Sequence, residues 1–224
     1  MSAAVLLQQF DSLLTAPLAW QSRPEPERAP TAIASLDSAT GGLPRGALTE
    51  IVGAASSGRT SLLLSLLAAA TARQEPCALV DAEDAFSPHS ATSAGVRLEH
   101  LLWVRCGHNA EHALKAADLL IQGGGFGLVI MDLGDTAPRT AHRISLASWF
   151  RLRRAVEHTP TMLVSLARQS NAKTCASLVI ECGRRAAIWS GAPSVSRLLR
   201  TVEVRAQSTH RRKQCSPVFT ATAI

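Results

Sequence analysis

The segment Gly53-Ala-Ala-Ser-Ser-Gly-Arg-Thr-Ser61 has the spacing of a loop that wraps an anion. Gly53 and Gly58 allow the backbone to curl so that successive amides face a phosphate. A helix starting just behind the loop adds the positive end of its dipole. Gly-x-x-x-x-Gly-Arg-Thr departs from the common phosphate-loop pattern at one place, where Arg59 stands for lysine. In that pattern the lysine reaches the β- and γ-phosphates, and a hydroxyl placed like that of Thr60 holds Mg²⁺. Gly53, Ser57, Gly58, Arg59, Thr60 and Ser61 are therefore the candidate phosphate residues. Arginine keeps the charge, but its planar fork is larger and differently directed, so the exchange is not neutral at a tight site. Composition offers a bland reason for it: lysine occurs only at positions 115, 173 and 213, and arginine supplies the rest of the 23 basic residues. A Ser/Gly-rich turn that binds nothing is the other reading of the segment.

Two carboxylates complete the set. "LVIMD" (128–132) is an apolar run ending in Asp132, the form of a Walker B strand whose aspartate orders Mg²⁺ and its water. "DAED" (81–84) offers Glu83 as a base that orients an attacking water. A solvated carboxylate at a strand end has the same spacing.

These residues need a frame, and the chain has the rhythm of one. From residue 48 short apolar runs alternate with helical patterns, which predicts βα units and a mostly parallel sheet. Strands are expected at 48–52, 77–81, 101–105, 128–132 and 161–167, and helices at 60–72, 109–122 and 141–157. The runs 177–182, 185–190, 198–206 and 217–223 follow without helices between them, which predicts an antiparallel edge. Residues 1–20 contain an amphipathic helix, "AVLLQQFDSLL", suited to docking on a neighbour or on its own core. Residues 21–34 read as a linker, since "QSRPEPERAP" carries three prolines and mixed charge.

Bulk properties narrow the class. With 224 residues and 46% hydrophobic content the chain can bury one large α/β core. Five scattered cysteines without a C-x-x-C pair point to buried free thiols rather than a disulfide framework or a zinc site. No apolar run reaches the roughly 18 residues of a membrane span, and the first residues lack a signal-peptide pattern, so a cytoplasmic protein is expected. A formal charge of +6 and a pI of about 9.6 favour an acidic partner such as nucleic acid.

Taken in order, the motifs resemble the core of the RecA family. The stretches are "SLDSATGGLPRGALTEIVGAASSGRTSLLLSLLAAA" (35–70), "CALVDAEDAFSPHSATSAGVRLEHLLWVRC" (77–106), "LVIMD", "TMLVSLARQ" and "VEVRAQSTHRRKQCSPVFTA" (202–221). The resemblance covers roughly residues 35–224 and implies an α/β RecA-like core: a mostly parallel central sheet with antiparallel edge strands and helices on both faces. It ends at the core's last hairpin, so a separate C-terminal domain is not expected. It implies ATP and Mg²⁺ as cofactors, with Thr60 and Asp132 toward the metal and Glu83 as the catalytic glutamate. Arg168 falls on the glutamine that senses the γ-phosphate. Arg211 and Lys213 fall on the basic pair that reaches a neighbouring subunit's nucleotide in RecA filaments, or on a basic hairpin tip facing water.

The departures matter as much. Where recombinases carry longer mobile loops for single-stranded DNA, only "LGDTAPRTAHR" and "QSNAKTCA" remain. "GGLPRGALTEIVG" resembles ImuA-type proteins, which accompany the ImuB pseudo-polymerase in damage-induced mutagenesis. The expected function is thus an accessory of translesion synthesis with a degenerate ATP site. A RecA-like or ImuB-type partner, a sequence-independent DNA contact and a homo-oligomer are all compatible with it. An ATP-dependent recombination or repair ATPase is the alternative, with a SulA-like division inhibitor behind it. Basic clusters at Arg151, Arg153 and Arg154, at Arg184 and Arg185, and at Arg211 to Lys213 are the candidate phosphate contacts.

Overall fold

The computed structural model describes residues 26–183 and, for the backbone alone, 189–190, 198–199 and 204–208. The expected N-terminal helix, the strand at 217–223, the pairs Arg184–Arg185 and Arg211–Lys213, and Cys215 lie outside the described residues. Strands β1 (Arg28–Ala29) and β2 (Leu43–Pro44) form a small antiparallel pair around helix α1 (Ala34–Thr40). The central sheet comprises β3 (Ala47–Gly53), β4 (Cys77–Asp81), β5 (Leu101–Arg105), β6 (Leu128–Asp132), β7 (Met162–Ala167), β8 (Leu178–Cys182) and β11 (Val204–Ser208). Their order across it is β11-β8-β3-β7-β6-β4-β5. β9 (Trp189–Ser190) and β10 (Leu198–Leu199) pair antiparallel with each other apart from it.

Central parallel strands are buried on both faces, so they read as continuous apolar runs, and β3, β4 and β7 are buried nearly throughout. Alternate residues feed two cores. On one face Ile51, Leu79, Ile130, Val164 and Ile180 pack under helix α2 (Arg59–Ala72), which contributes Leu62, Leu63, Leu66 and Leu67. On the other, Leu48, Val80, Met131 and Leu163 pack under α4 (Ala110–Gly123) and α6 (Leu146–Val156), with Trp149 fully buried. A short helix α3 (Pro88–Ser93) and a single turn α5 (Pro138–Ala141) complete the described α-helices.

The edge differs from expectation. β8 runs parallel to β3, and among the described strands of the central sheet β11 alone is antiparallel. Residues 168–177 carry the chain from β7 back across the sheet without an α-helix, a crossover that usually needs one. Glu50, fully buried on β3, holds it down: its carboxylate accepts from Ser170 Oγ at 2.6 Å and from the backbone N–H of Asn171 and Ala172, each at 2.8 Å. The long helix expected over 141–157 is also broken. Pro138 starts one turn, and Ser145 then caps a new helix by accepting from Ser148 N. The end of the proline-rich segment is attached to the core, since Thr31 donates through N and Oγ1 to Asp37 at 2.9 and 2.7 Å. Cys77, Cys106, Cys175 and Cys182 are buried free thiols, and burial pushes Cys77 and Cys182 up to about 12.

Candidate nucleotide site

β3 delivers the chain into the candidate phosphate loop. A Cβ on Gly53 would lie 2.4 Å from the Cys182 carbonyl oxygen and 2.6 Å from Ser57 Oγ, so no side chain fits there. Gly58, the residue that opens α2, has φ 95°, in the left-handed region that suits glycine. Ser57 is buried with its hydroxyl unpartnered, Thr60 is exposed on the first helical turn, and Ser61 is half-buried. Strand, loop and helix thus follow in the order the motif requires.

Arg59 is only 7% exposed. A guanidinium cannot shed its proton, so its burial must be offset by acceptors and counter-charge. Its Nη1 donates to the Gly134 carbonyl at 2.9 Å. Gly134 N in turn donates to Asp132 Oδ1 at 2.7 Å. A methyl at Gly134 would stand 2.8 Å from Asp132 Oδ1 and 3.0 Å from Arg59 Nη1, so glycine is what lets the three groups meet. Arg168 Nε makes a long bond, 3.4 Å, to the same carbonyl. Arg59 and Arg168 therefore converge on one oxygen.

Burial pushes the Asp132 carboxyl up to about 6, and the negative charges of Asp81 and Asp135 add to the rise. The Gly134 N–H and the Arg59 charge oppose it. Mg²⁺ demands near-octahedral oxygen ligands at about 2.0–2.1 Å. Beside Asp132 one carboxylate oxygen is already bonded and a fixed guanidinium borders the space, so these residues do not fit a divalent ion well.

Glu83 is tied at both oxygens. Thr136 Oγ1 donates to Oε1 at 2.7 Å, and His108 Nδ1 lies 3.0 Å from Oε2. The His108 bond holds its carboxyl below the usual range against the effect of partial burial, with help from Thr136. A carboxylate so engaged is a poor base for water. The turn beneath it is shaped by Asp81, which accepts from the backbone N–H of Glu83, Ala85 and Phe86 at 3.3, 3.2 and 2.9 Å, and from Trp103 Nε1 at 3.2 Å. Gly134, Thr136, His108 and Asp81 were not singled out in the sequence. Asp81 carried a signal, as the first carboxylate of "DAED" at a strand end, whereas the other three are brought in by the fold.

A second feature lies away from the loop. A groove of about 550 Å³ runs between α4 and the segment holding α5 and α6, lined by Lys115, Arg143 and Arg151 together with Glu111, Thr140 and Ser148. Of the basic cluster on α6, Arg151 also pairs with Asp118 at 3.4 Å and Arg153 with Glu157 at 3.4 Å. Among the described residues no helix is long and apolar enough to cross a membrane.

The family described as the RecA N-terminal domain matches residues 11–141. Similar curated proteins include the RecA protein of Mesorhizobium japonicum, 34% identical over 156 residues, which are 62% of this chain and 42% of that protein. The RecA protein of Cutibacterium acnes is 43% identical over 105 residues, 46% of this chain and 30% of that protein. That of Rhodospirillum rubrum is 45% identical over 92 residues, 41% of this chain and 25% of that protein. The chain thus spans less than half the length of these relatives.

Proposed function

This chain belongs to the RecA N-terminal domain family, and on that premise we propose that it is an accessory of the DNA-damage response, of the ImuA type, and not a working recombinase. In this reading it retains a nucleotide pocket for ATP, hydrolyses it slowly or not at all, and acts through a RecA-like or ImuB-type partner in induced mutagenesis. The observation that carries the reading is the engagement of the catalytic positions with the protein itself. Arg59 and Arg168 are directed at the Gly134 carbonyl, and Glu83 is bonded at both oxygens. A second support is the crossover at 168–177, which the buried Glu50 anchors in place of a longer DNA-holding loop.

Mg²⁺ at Thr60 and Asp132 is the weaker half of the cofactor expectation, because Arg59 already borders Asp132. The basic groove supports direct DNA contact, since Lys115, Arg143 and Arg151 offer phosphate ligands without an aromatic stacking platform, a combination that favours sequence-independent binding. Arg211 and Lys213 are proposed as further contacts to DNA or to a neighbour's nucleotide. A RecA-family repair ATPase stays the second reading, favoured by the intact course of the loop from Gly53 to the Gly58 turn.

The test is genetic. In a strain lacking the gene, ultraviolet-induced mutation is expected to fall while homologous recombination is unchanged. Loss of recombination would overturn the accessory role.

A further inference from the structure

Arginine is the residue best shaped for phosphate, because its fork offers parallel N–H donors to two oxygens. Here two of them, Arg59 and Arg168, approach one point, the Gly134 carbonyl, at 2.9 and 3.4 Å. That carbonyl is a neutral acceptor, so each guanidinium keeps donors and a full charge to offer elsewhere. Arg59 is the first residue of α2, directly after the left-handed Gly58 turn. Ser57, within the same loop and 2% exposed, has a buried hydroxyl with no partner among the described residues.

The same geometry works against a metal. In a phosphate-loop site a divalent ion bridges phosphate oxygens near the Walker B carboxylate and neutralises their charge. Here Arg59 Nη1 and Asp132 Oδ1 border the same small space at Gly134, and that carboxylate oxygen already accepts the Gly134 N–H at 2.7 Å. A divalent ion placed there would face a fixed positive charge across a buried gap, where repulsion is poorly screened.

We infer that Arg59 and Arg168 hold the nucleotide's phosphates without a divalent cation, so that nucleotide binding by this chain is independent of Mg²⁺. The inference rests on the proposal that the loop still binds nucleotide. It makes the two departures from the family pattern one paired change: the lysine gives way to a group that carries the phosphate charge alone, and the glutamine to a second such group beside it.

The experiment is a titration of the full chain with a fluorescent ADP analogue, in excess Mg²⁺ and again in EDTA, with thermal melting in each buffer as a second readout. The dissociation constants are expected to agree within about threefold, and ADP is expected to raise the melting temperature equally in both. In R59K the ammonium is a compact point charge that leaves room beside Asp132, and affinity in EDTA is expected to fall about tenfold or more below that in Mg²⁺. Urea unfolding of R59K identifies any loss of fold. Wild-type binding that collapses in EDTA overturns the inference while leaving the nucleotide site standing. Absence of binding in both buffers overturns the inference together with the site.

Discussion

Arg59 and Glu83 show how a single residue can keep its place in a sequence pattern and gain partners within the fold. In the proposed reading Arg59 takes the lysine position with its Nη1 on a carbonyl, and Glu83 takes the base position while bonded by Thr136 and His108. Neither could be read in sequence, because Gly134, Thr136 and His108 lie 75, 53 and 25 positions from the residues they bind. Glu75 is a structural counterpart whose charge can be tested directly. Burial alone would raise its carboxyl, but hydrogen bonds from Arg73 at 2.9 Å and Arg45 at 2.7 Å prevail and leave it below its ordinary 4.5. A carboxylate lowered in the folded state contributes stability that is present above its ordinary pKa and lost as pH falls through the folded value. Glu75→Gln is therefore expected to cost about 0.5–1 kcal/mol near pH 7 in urea unfolding, discounted for partial exposure, and almost nothing near pH 3. An equal deficit at both pH values would mean that packing, not charge, is what the substitution removes.

At the scale of elements, the parallel strands were legible, while the joints and the extents of the runs expected at 185–190 and 198–206 were not. β4 and β6 fall where apolar runs bounded by polar residues put them, since a buried parallel strand leaves that trace regardless of its neighbours, and β5 falls on its own apolar run although it is the sheet's edge strand and none of its residues is buried. The break between α5 and α6 left only a weak trace in Ser145, and its helical periodicity continues on both sides. The parallel placement of β8 was hidden for another reason: it depends on a crossover with no helical pattern, secured by a carboxylate 120 positions earlier. That carboxylate gives the element-scale prediction. Glu50→Ala leaves the Asn171 and Ala172 N–H groups buried without an acceptor and should cost on the order of 3 kcal/mol or more in urea unfolding. Glu50→Gln keeps an acceptor for both and should cost less than about half of that. Equal losses for the two would mean that the negative charge, and not the hydrogen bonding, secures the crossover.

For the whole molecule, the RecA-like frame and the order of its motifs were legible in the sequence, and the family match over residues 11–141 agrees with them. What the fold adds is the disposition of those motifs toward one another. The 53–61 loop, the end of β6 at Asp132 and the "DAED" turn come together at the carboxyl ends of parallel strands, where open α/β sheets bind ligands. Within these segments Arg59 bonds to Gly134, and Glu83 to Thr136 and His108. The account's central claim is that this frame binds nucleotide without driving a hydrolytic cycle. The most direct test is phosphate release from ATP by the purified full chain, with and without single-stranded DNA, beside a Glu83→Gln variant. The account predicts release no greater than that of the variant and no stimulation by DNA. DNA-stimulated release that Glu83→Gln abolishes would contradict it and make Arg59 a working replacement for lysine.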